Sequence, residues 1–196
     1  MTNILVIMDT ESKYKVIGIT GQKFSGKDTL GDYFVNELGY TRIAFADALK
    51  EAVKCIFDFD DEQLYGSKKE IPDDYWNFSA RQALQFVGTD LFRNQISTLS
   101  PHIEKNIWVH VVKRKILNRI EKDPHAKFVI TDARFPNEID MVKELGGIVI
   151  KLRRNNNNTD THESEALIES LYCDYDISNN DTKENLYMTI KEQLNL

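Results

Sequence analysis

Five short apolar runs are spaced along the chain, and most of them are continuous rather than alternating between apolar and polar positions. Continuous runs of this length are typical of strands that are buried on both faces of a parallel sheet. The predicted strands are KVIGIT at 15–20, RIAFA at 42–46, KFVIT at 127–131, GIVIKL at 147–152 and DYDIS at 174–178. We therefore expect a five-stranded, mainly parallel sheet.

Segments with helical periodicity lie between these runs. KDTLGDYFVNELG ends at Gly39, a residue typical of a helix C-terminus. DALKEAVKCIF begins with Asp47 in the position expected of an N-cap. Two more helices are predicted at NEIDMVKELGG and NLYMTIKEQLNL. Strands and helices in alternation predict an α/β fold with right-handed crossovers and a sheet flanked by helices.

The interval from about 58 to 125 is too long for a single crossover. It begins with an acidic stretch and continues with two helical patterns, SARQALQFVGTDLFRNQI and WVHVVKRKILNRI. We interpret it as a helical substrate-binding insertion between the second and third strands of one domain that spans 1–196. Such an insertion stands above the carboxyl ends of the strands, where α/β folds bind ligands.

Composition limits the partners of this domain. The 196 residues are 41% hydrophobic and 29% charged, which suits an ordinary core. The net charge of −6 argues against a nucleic-acid-binding surface, because such surfaces need excess Lys and Arg. No apolar run reaches the roughly 18 residues of a membrane span. Cys55 and Cys173 lack CxxC spacing and are too few for a disulfide scaffold, so we expect a reducing, cytoplasmic compartment.

The stretch GQKFSGKDT at 21–29 joins the first strand to the first helix and contains most of a phosphate-binding loop. The usual motif is G-x-x-x-x-G-K followed by Ser or Thr, but here Asp28 follows the lysine. The backbone N–H groups of such a loop bind phosphate oxygens, and Lys27 is expected to reach the outer phosphates of a nucleotide. Asp28 could replace the missing hydroxyl as a Mg²⁺ ligand, or only favour the first helical turn electrostatically.

A second polar cluster, ITDARFPNE at 130–138, follows the third predicted strand. Asp132 stands at the carboxyl end of that strand, where a carboxylate can serve Mg²⁺ or a substrate hydroxyl. Arg134 could clamp a phosphate, and Glu138 could accept hydrogen bonds from a base or sugar. The alternatives are a surface ion pair for Asp132 and Arg134 and a helix-start charge for Glu138.

Two arginines, Arg153 and Arg154, end the fourth predicted strand and precede the polar loop NNNNTDTHESEA. This order predicts a lid at about 153–165, which closes over transferring phosphates and excludes water. Its arginines would neutralise the charge that develops during transfer. The alternative is a solvated basic turn.

The predicted insertion supplies further candidates. Gly88 and Thr89 interrupt a helical pattern, which favours a turn or the close approach of a ligand. Arg81 and Arg93 are candidate phosphate contacts. Trp108 could stack on a base, although an aromatic residue on a helix more often belongs to the core.

Taken in order, these motifs resemble the deoxynucleoside monophosphate kinases of large bacteriophages and large DNA viruses, from about residue 15 to about residue 180. The matching pieces are G-x-K-x-S-G-K-D-T at 21–29, R-Q-A-L-Q-x-x-G-T-D at 81–90, W-V at 108–109, D-x-R-x-x-x-E at 132–138, G-G-x-V-I at 146–150 and T-H-x-S-E at 161–165. An aspartate after the loop lysine is normal in that family. The resemblance implies a P-loop kinase fold with an insertion and a lid. It also implies transfer of the γ-phosphoryl group of ATP, with Mg²⁺, to a deoxynucleoside monophosphate (dNMP).

The motifs and the resemblance together give the candidate site. The candidate ATP-binding residues are Gly21, Ser25, Gly26, Lys27, Asp28 and Thr29. The candidate acceptor-binding residues are Lys23, Lys69, Arg81, Gly88, Thr89, Trp108, Asp132, Arg134, Glu138 and Thr161. The candidate catalytic cations are Lys23, Lys27, Arg134, Arg153 and Arg154. Asp28 and Asp132 are the candidate ligands of Mg²⁺.

Two other functions stay open at this point. Animal-type phosphomevalonate kinases are similar at the S-G-K-D loop, but their acceptor has no base for Trp108 or Glu138 to contact. A non-catalytic nucleotide-binding module of the GTPase type would need N-K-x-D, and D-x-x-G after the third strand, where DARF stands instead. For the kinase we expect small nucleotides as partners, no nucleic acid or membrane, a possible homodimer, and a host cytoplasm if the protein is viral.

Overall fold

The computed structural model describes residues 14–155 and 163–196. Within these ranges five strands form a single sheet in the order β2-β3-β1-β4-β5, and every pairing is parallel. The strands are β1 Val16–Gly21, β2 Thr41–Ile43, β3 Phe128–Ile130, β4 Ile148–Arg153 and β5 Tyr175–Ser178. The five predicted strands and their parallel arrangement are therefore confirmed.

Helices fill the connections between the strands. They are α1 Lys27–Leu38, α2 Asp47–Phe57, α3 Asp61–Leu64, α4 Ala80–Gln85, α5 Asn94–Leu99, α6 Ile107–Lys122, α7 Pro136–Glu144, α8 Glu163–Ser170 and α9 Lys183–Leu194. A π-helix, Phe86–Arg93, joins α4 to α5 directly, and short 3₁₀ helices span Ser67–Glu70 and Pro101–Ile103. No helix in the described ranges is long and apolar enough to cross a membrane.

The ends of two predicted helices test the capping signals. Gly39 follows α1 with a left-handed φ of 69°, as predicted for a glycine at a helix C-terminus. The prediction that Asp47 caps α2 is wrong, because Asp47 is already the first helical residue. Its Oδ2 instead accepts a hydrogen bond from the backbone N–H of Ala44 at 2.8 Å. That bond turns the chain directly after Ile43, so β2 is shorter than the predicted run at 42–46.

Two helical layers cover the sheet. Helices α1 and α9 pack on the face that carries Ile17 and Ile19 of β1. Helices α6, α7 and α8 pack on the opposite face, around Val16 and Phe128. Because both faces are covered, β1, β3 and β4 are buried at nearly every position, as their continuous pattern predicted, whereas the edge strands β2 and β5 are more exposed.

A third apolar core joins α2 to the insertion. Its buried members are Val53, Phe59, Leu64, Ala80, Ala83, Leu84 and Val87, and Leu49, Phe57, Phe78 and Phe92 pack against them. This core starts before the predicted boundary at 58, because α2 belongs to it. It ends well before 125, because Val112 and Ile116 of α6 lie in the core beneath the sheet.

Strand β1 lies between β3 and β4, so the chain order reverses at β1. Parallel α/β sheets bind ligands in the crevice outside the carboxyl ends of the strands at such a reversal. The loop at 21–29 and the polar cluster at 130–138 both begin at this edge. The topology therefore brings two motifs that are far apart in sequence to one crevice.

Candidate active site

The loop between β1 and α1 forms one wall of a cavity of about 510 Å³. Five predicted residues of the loop itself, Lys23, Gly26, Lys27, Asp28 and Thr29, line this cavity, and Gly21 and Ser25 are buried. We call it the donor cavity, after the role predicted for the loop. Gly26 has a left-handed φ of 101°, a conformation that favours glycine. The loop thus opens onto a space at the N-terminus of α1, where anions are favoured.

Lys27 lies across the mouth of this loop. Its Nζ donates hydrogen bonds to the backbone carbonyls of Gly21 and Gln22, each at 2.7 Å. Both acceptors belong to the loop itself, so the ammonium group is held within the cavity rather than extended into solvent. A phosphate bound in the loop can replace these carbonyls as the partner of Lys27, because a charged acceptor makes the stronger hydrogen bond.

Asp132 forms part of the opposite wall of the donor cavity. Its Oδ1 accepts from the N–H of Phe45 at 2.9 Å, and its Oδ2 accepts from the N–H of Ala46 at 3.2 Å. Burial raises the pKa of Asp132, while the two backbone hydrogen bonds oppose that rise. The carboxylate therefore ties the end of β3 to the β2–α2 connection and fixes the shape of the crevice. Asp28 lines the same cavity from the first turn of α1.

A second cavity, of about 390 Å³, lies between the insertion and the carboxyl edge of the sheet. It is lined by eight of the predicted acceptor residues: Lys69, Arg81, Gly88, Thr89, Trp108, Asp132, Arg134 and Glu138. Three residues line this acceptor cavity and the donor cavity alike: Arg42, Asp132 and Arg134. The two cavities therefore meet at a boundary with two cationic side chains and one carboxylate.

Arg42 is a site residue that the sequence analysis missed. It extends from β2 over the cavity boundary, and its Nε donates to Oγ1 of Thr131 at 3.2 Å. In the sequence pattern, Arg42 is only the first residue of a predicted apolar strand. The one available signal was an arginine within a run that is otherwise apolar, RIAFA.

A cluster of cations lines the insertion side of the acceptor cavity. Lys50, which the sequence analysis also missed, lies there with Lys69 and Arg81. Burial lowers the pKa of Lys50 and of Lys69, and the pKa of Lys69 is lowered further by the neighbouring charges of Lys50 and Arg81. These three positive side chains repel one another, so an anion bound between them would be stabilised.

Gly88 and Trp108 make contact in the wall of the acceptor cavity. The indole Nε1 of Trp108 donates to the backbone carbonyl of Gly88 at 3.0 Å. Gly88 lies within the π-helix, so the interruption predicted there is not a turn. A Cβ at this position would lie 2.5 Å from Cδ2 of Leu49, so the glycine permits a close approach of α2. The close approach seen in the structure is that of a protein side chain, and the approach of a ligand at Gly88 stays a prediction.

Glu138 is almost fully buried, with 4% of its surface exposed. Its Oε2 accepts from the backbone N–H of Arg134 at 2.7 Å and of Phe135 at 3.2 Å. Burial raises the pKa of Glu138 to about 7. The side chain therefore braces the loop that carries Arg134, and it still lines the acceptor cavity. These two backbone contacts agree with the alternative interpretation, in which Glu138 acts as a charged residue in the first turn of a helix.

The two arginines predicted in the lid have different surroundings. Arg154 lines the donor cavity. Arg153 instead forms ion pairs with Glu169 and with Asp176, whose Oδ1 accepts from its Nε at 2.7 Å. Those two carboxylates hold Arg153 at the surface of β5 and α8, and its role as a catalytic cation stays a prediction. Thr161 and most of the predicted lid at 153–165 lie outside the described residues.

Comparison with known proteins gives matches along most of the chain. The sequence model of the family described as deoxynucleotide monophosphate kinase matches residues 59–190. A protein of Acanthamoeba polyphaga mimivirus that carries this family's name is 44% identical over 181 residues, which cover 89% of this chain and 93% of that protein. The deoxynucleotide monophosphate kinase of Enterobacteria phage T4 is 28% identical over 156 residues, covering 74% of this chain and 61% of the phage protein.

Similarity to solved structures is lower. Dephospho-CoA kinase from Campylobacter jejuni matches with a TM-score of 0.46 and 15% identity, over 92% of this chain and 98% of that one.

Proposed function

Because the chain belongs to the deoxynucleotide monophosphate kinase family, we propose that it transfers the γ-phosphoryl group of ATP to a dNMP at the boundary between its two cavities. The products are ADP and the deoxynucleoside diphosphate. The observation that carries this proposal is the shared boundary itself: Arg42, Asp132 and Arg134 line both cavities. The match to this nucleotide kinase family does not favour phosphomevalonate as the acceptor.

We assign the donor cavity to the triphosphate of ATP. The backbone N–H groups at the start of α1 and the ammonium of Lys27 are placed to bind its outer phosphates. Lys23 and Arg154 add positive charge to the walls of the same cavity. Cations outnumber carboxylates there although the whole chain has a net charge of −6, which supports a binding site for a strongly anionic ligand.

We assign the acceptor cavity to the monophosphate. Its phosphate must face the γ-phosphoryl group, so it belongs at the boundary beside Arg134, within reach of the cations on α2 and α4. The base then extends between the π-helix and the loop at 134–135, where Trp108 and Phe135 offer aromatic surface and Glu138 offers a carboxylate. In this proposal, the insertion supplies one side of the binding site for the acceptor dNMP.

The residues at the donor cavity also suit Mg²⁺. Asp28 and Asp132 both line it, and carboxylate oxygens are the ligands that this ion prefers. Both oxygens of Asp132 already accept backbone hydrogen bonds, whereas Asp28 stands exposed at the cavity wall. We therefore propose Asp28 as the ligand, directly or through water, and Asp132 as the group that shapes the crevice. When bound, the ion would supply positive charge that offsets the negative charge of the phosphates.

The transfer needs little covalent participation by the protein. An oxygen of the acceptor monophosphate bonds to the γ-phosphorus as the bond to the β,γ-bridging oxygen breaks, and ADP leaves with that oxygen. The acceptor oxygen is already anionic, so no general base is required. Lys27, Arg42 and Arg134 hold two mutually repelling anions in line and neutralise the charge between them. These enzyme contributions are positional and electrostatic.

The viral and phage relatives support a further proposal about location and partners. We propose that the protein acts on free nucleotides in the cytoplasm of an infected host, without a nucleic-acid partner. The net charge of −6 agrees with this, because a nucleic-acid-binding surface needs an excess of Lys and Arg.

The test is a coupled assay of ADP release with ATP and Mg²⁺. The acceptor panel contains dTMP, dGMP, dCMP, dAMP, the ribose forms and phosphomevalonate. We expect turnover on at least one deoxynucleotide and a loss of several orders of magnitude in Lys27→Ala. Turnover on phosphomevalonate alone, or normal turnover in Lys27→Ala, would contradict the proposal.

A further inference from the structure

Asn179 contacts the phosphate loop from the other end of the sequence. It follows β5 directly, and its Nδ2 donates to the backbone carbonyl of Ser25 at 2.8 Å, across 154 sequence positions. The residue is only 7% exposed. Its own backbone N–H donates to the carbonyl of Arg153 at 2.7 Å, so it is anchored to β4 as well.

The side-chain amide of Asn179 also packs directly on Gly26. A Cβ built at Gly26 would lie 2.3 Å from Nδ2, so only glycine leaves room for the amide at this position. Phe24, two residues earlier, has a left-handed φ of 67°, which is unfavourable for a bulky L-residue. The loop therefore needs contacts from outside to hold this conformation, and Asn179 provides one of them.

The hydrogen bond to Ser25 also sets the direction of the next N–H group. The Ser25–Gly26 peptide is trans, and the C=O and N–H of a planar trans peptide point in opposite directions. The Ser25 carbonyl points to Asn179, so the N–H of Gly26 points away from it. Gly26 lines the donor cavity, which places that N–H on the phosphate side of the loop.

We propose that Asn179 is a positioning residue for ATP: it fixes the Ser25–Gly26 peptide so that the N–H of Gly26 faces the donor phosphates. This inference rests on the proposed function, since it concerns the same donor cavity. Asn179 itself need not contact the nucleotide. Its effect is transmitted through one peptide group, so it should act on phosphate-chain binding and leave the acceptor cavity unchanged.

The test measures the dissociation constants of ATP, tripolyphosphate and dTMP by titration calorimetry. Asn179→Leu keeps the branched shape of the side chain but removes its donor, and Asn179→Ala removes both. Asn185→Ala is the matched control, because Asn185 is an asparagine on the first turn of α9 whose amide bonds to Asp181. Melting temperatures of all variants separate binding from stability.

We expect both Asn179 variants to bind ATP and tripolyphosphate at least about tenfold more weakly, with dTMP binding and the control unchanged. If the variants melt at lower temperature but bind ATP within twofold of the wild type, the residue is merely structural and the inference is wrong. Equal losses for ATP and dTMP would also overturn it. If the wild type binds neither ATP nor tripolyphosphate, the proposed function itself fails, and the inference fails with it.

Discussion

At the scale of single residues, the position of Arg42 is the best suited to a direct role in catalysis. Its guanidinium lies where the two cavities meet, so it can contact both phosphate groups at once. An arginine is well suited to this task, because its planar fork binds two oxygens and keeps its charge at any physiological pH. A positive charge between two phosphates stabilises the transition state more than it stabilises either bound substrate.

We therefore expect Arg42→Ala to lower kcat by about 100-fold or more, with smaller changes in KM for either nucleotide. Arg42→Lys should recover part of the rate, because it restores the charge without the fork. Steady-state kinetics with both substrates varied makes the measurement. Arg119→Ala, an exposed arginine in the last turn of α6, is the control. An Arg42→Ala enzyme with wild-type kcat would exclude this role.

Glu138 gives a prediction about pH. Its folded pKa, raised to about 7 by burial, exceeds the value near 4.5 that an exposed glutamate has. Between these two values the folded protein keeps a proton that the unfolded chain releases. The free energy of unfolding should therefore fall as pH rises from about 5 to about 8, by on the order of 2 kcal/mol.

Glu138→Gln should remove that slope while keeping an oxygen that can accept from Arg134 and Phe135. Urea unfolding of both proteins at several pH values between 5 and 8 measures the difference. Two curves that stay parallel over this range would show that Glu138 does not titrate there.

At the scale of secondary structure, α4 carries Arg81 into the acceptor cavity, and Ser79 holds its N-terminus. Ser79 Oγ accepts from the N–H of Gln82, and the Gln82 side chain accepts in return from the N–H of Ser79. Such a reciprocal pair satisfies two backbone donors that the helix leaves without partners. The position of Arg81 thus depends on a cap that lies outside the cavity.

We expect Ser79→Ala to lower the free energy of unfolding by about 1 kcal/mol and to raise KM for the dNMP. Thr182→Ala is a matched control, since Thr182 caps α9 through its side chain but lies far in sequence from the insertion. It should lose similar stability and leave KM for the acceptor unchanged. Equal KM values in the two variants would show that the cap has no role in acceptor binding.

The strands could be predicted because burial on both faces leaves a continuous apolar signal. The two motifs at 21–29 and 130–138 could be placed together because parallel strands end at one edge. Arg42 could not be found in this way, because no local pattern shows that a residue of β2 extends over that edge. Nor does a local pattern show that residues 86–93 form a π-helix rather than a regular helix or a turn. The ion pairs of Arg153 could not be predicted either, because Asp176 and Glu169 are remote from it in sequence.

At the scale of the whole molecule, the two cavities meet at Arg42, Asp132 and Arg134, between the sheet and the insertion. A ligand that fills both should gain from the shared boundary, because the second half binds at a high effective concentration. We expect adenosine and deoxythymidine joined by a pentaphosphate to bind at least about 100-fold more tightly than ATP, and to raise the melting temperature more than ATP and dTMP together. Calorimetry and thermal melts measure both effects; binding no tighter than that of ATP would show that the cavities are separate.

The hydrogen bond between Asn179 and Ser25 also bears on how the protein is made. The phosphate loop leaves the ribosome early, but its brace lies 154 positions later. At about 10 residues per second that separation corresponds to roughly 15 s of translation. The central strand β1 likewise cannot pair within the sheet until β3 and β4 have been synthesised. A nascent chain therefore carries its phosphate loop without this hydrogen bond until Asn179 has been synthesised, and a chain that terminates before Asn179 lacks the bond altogether.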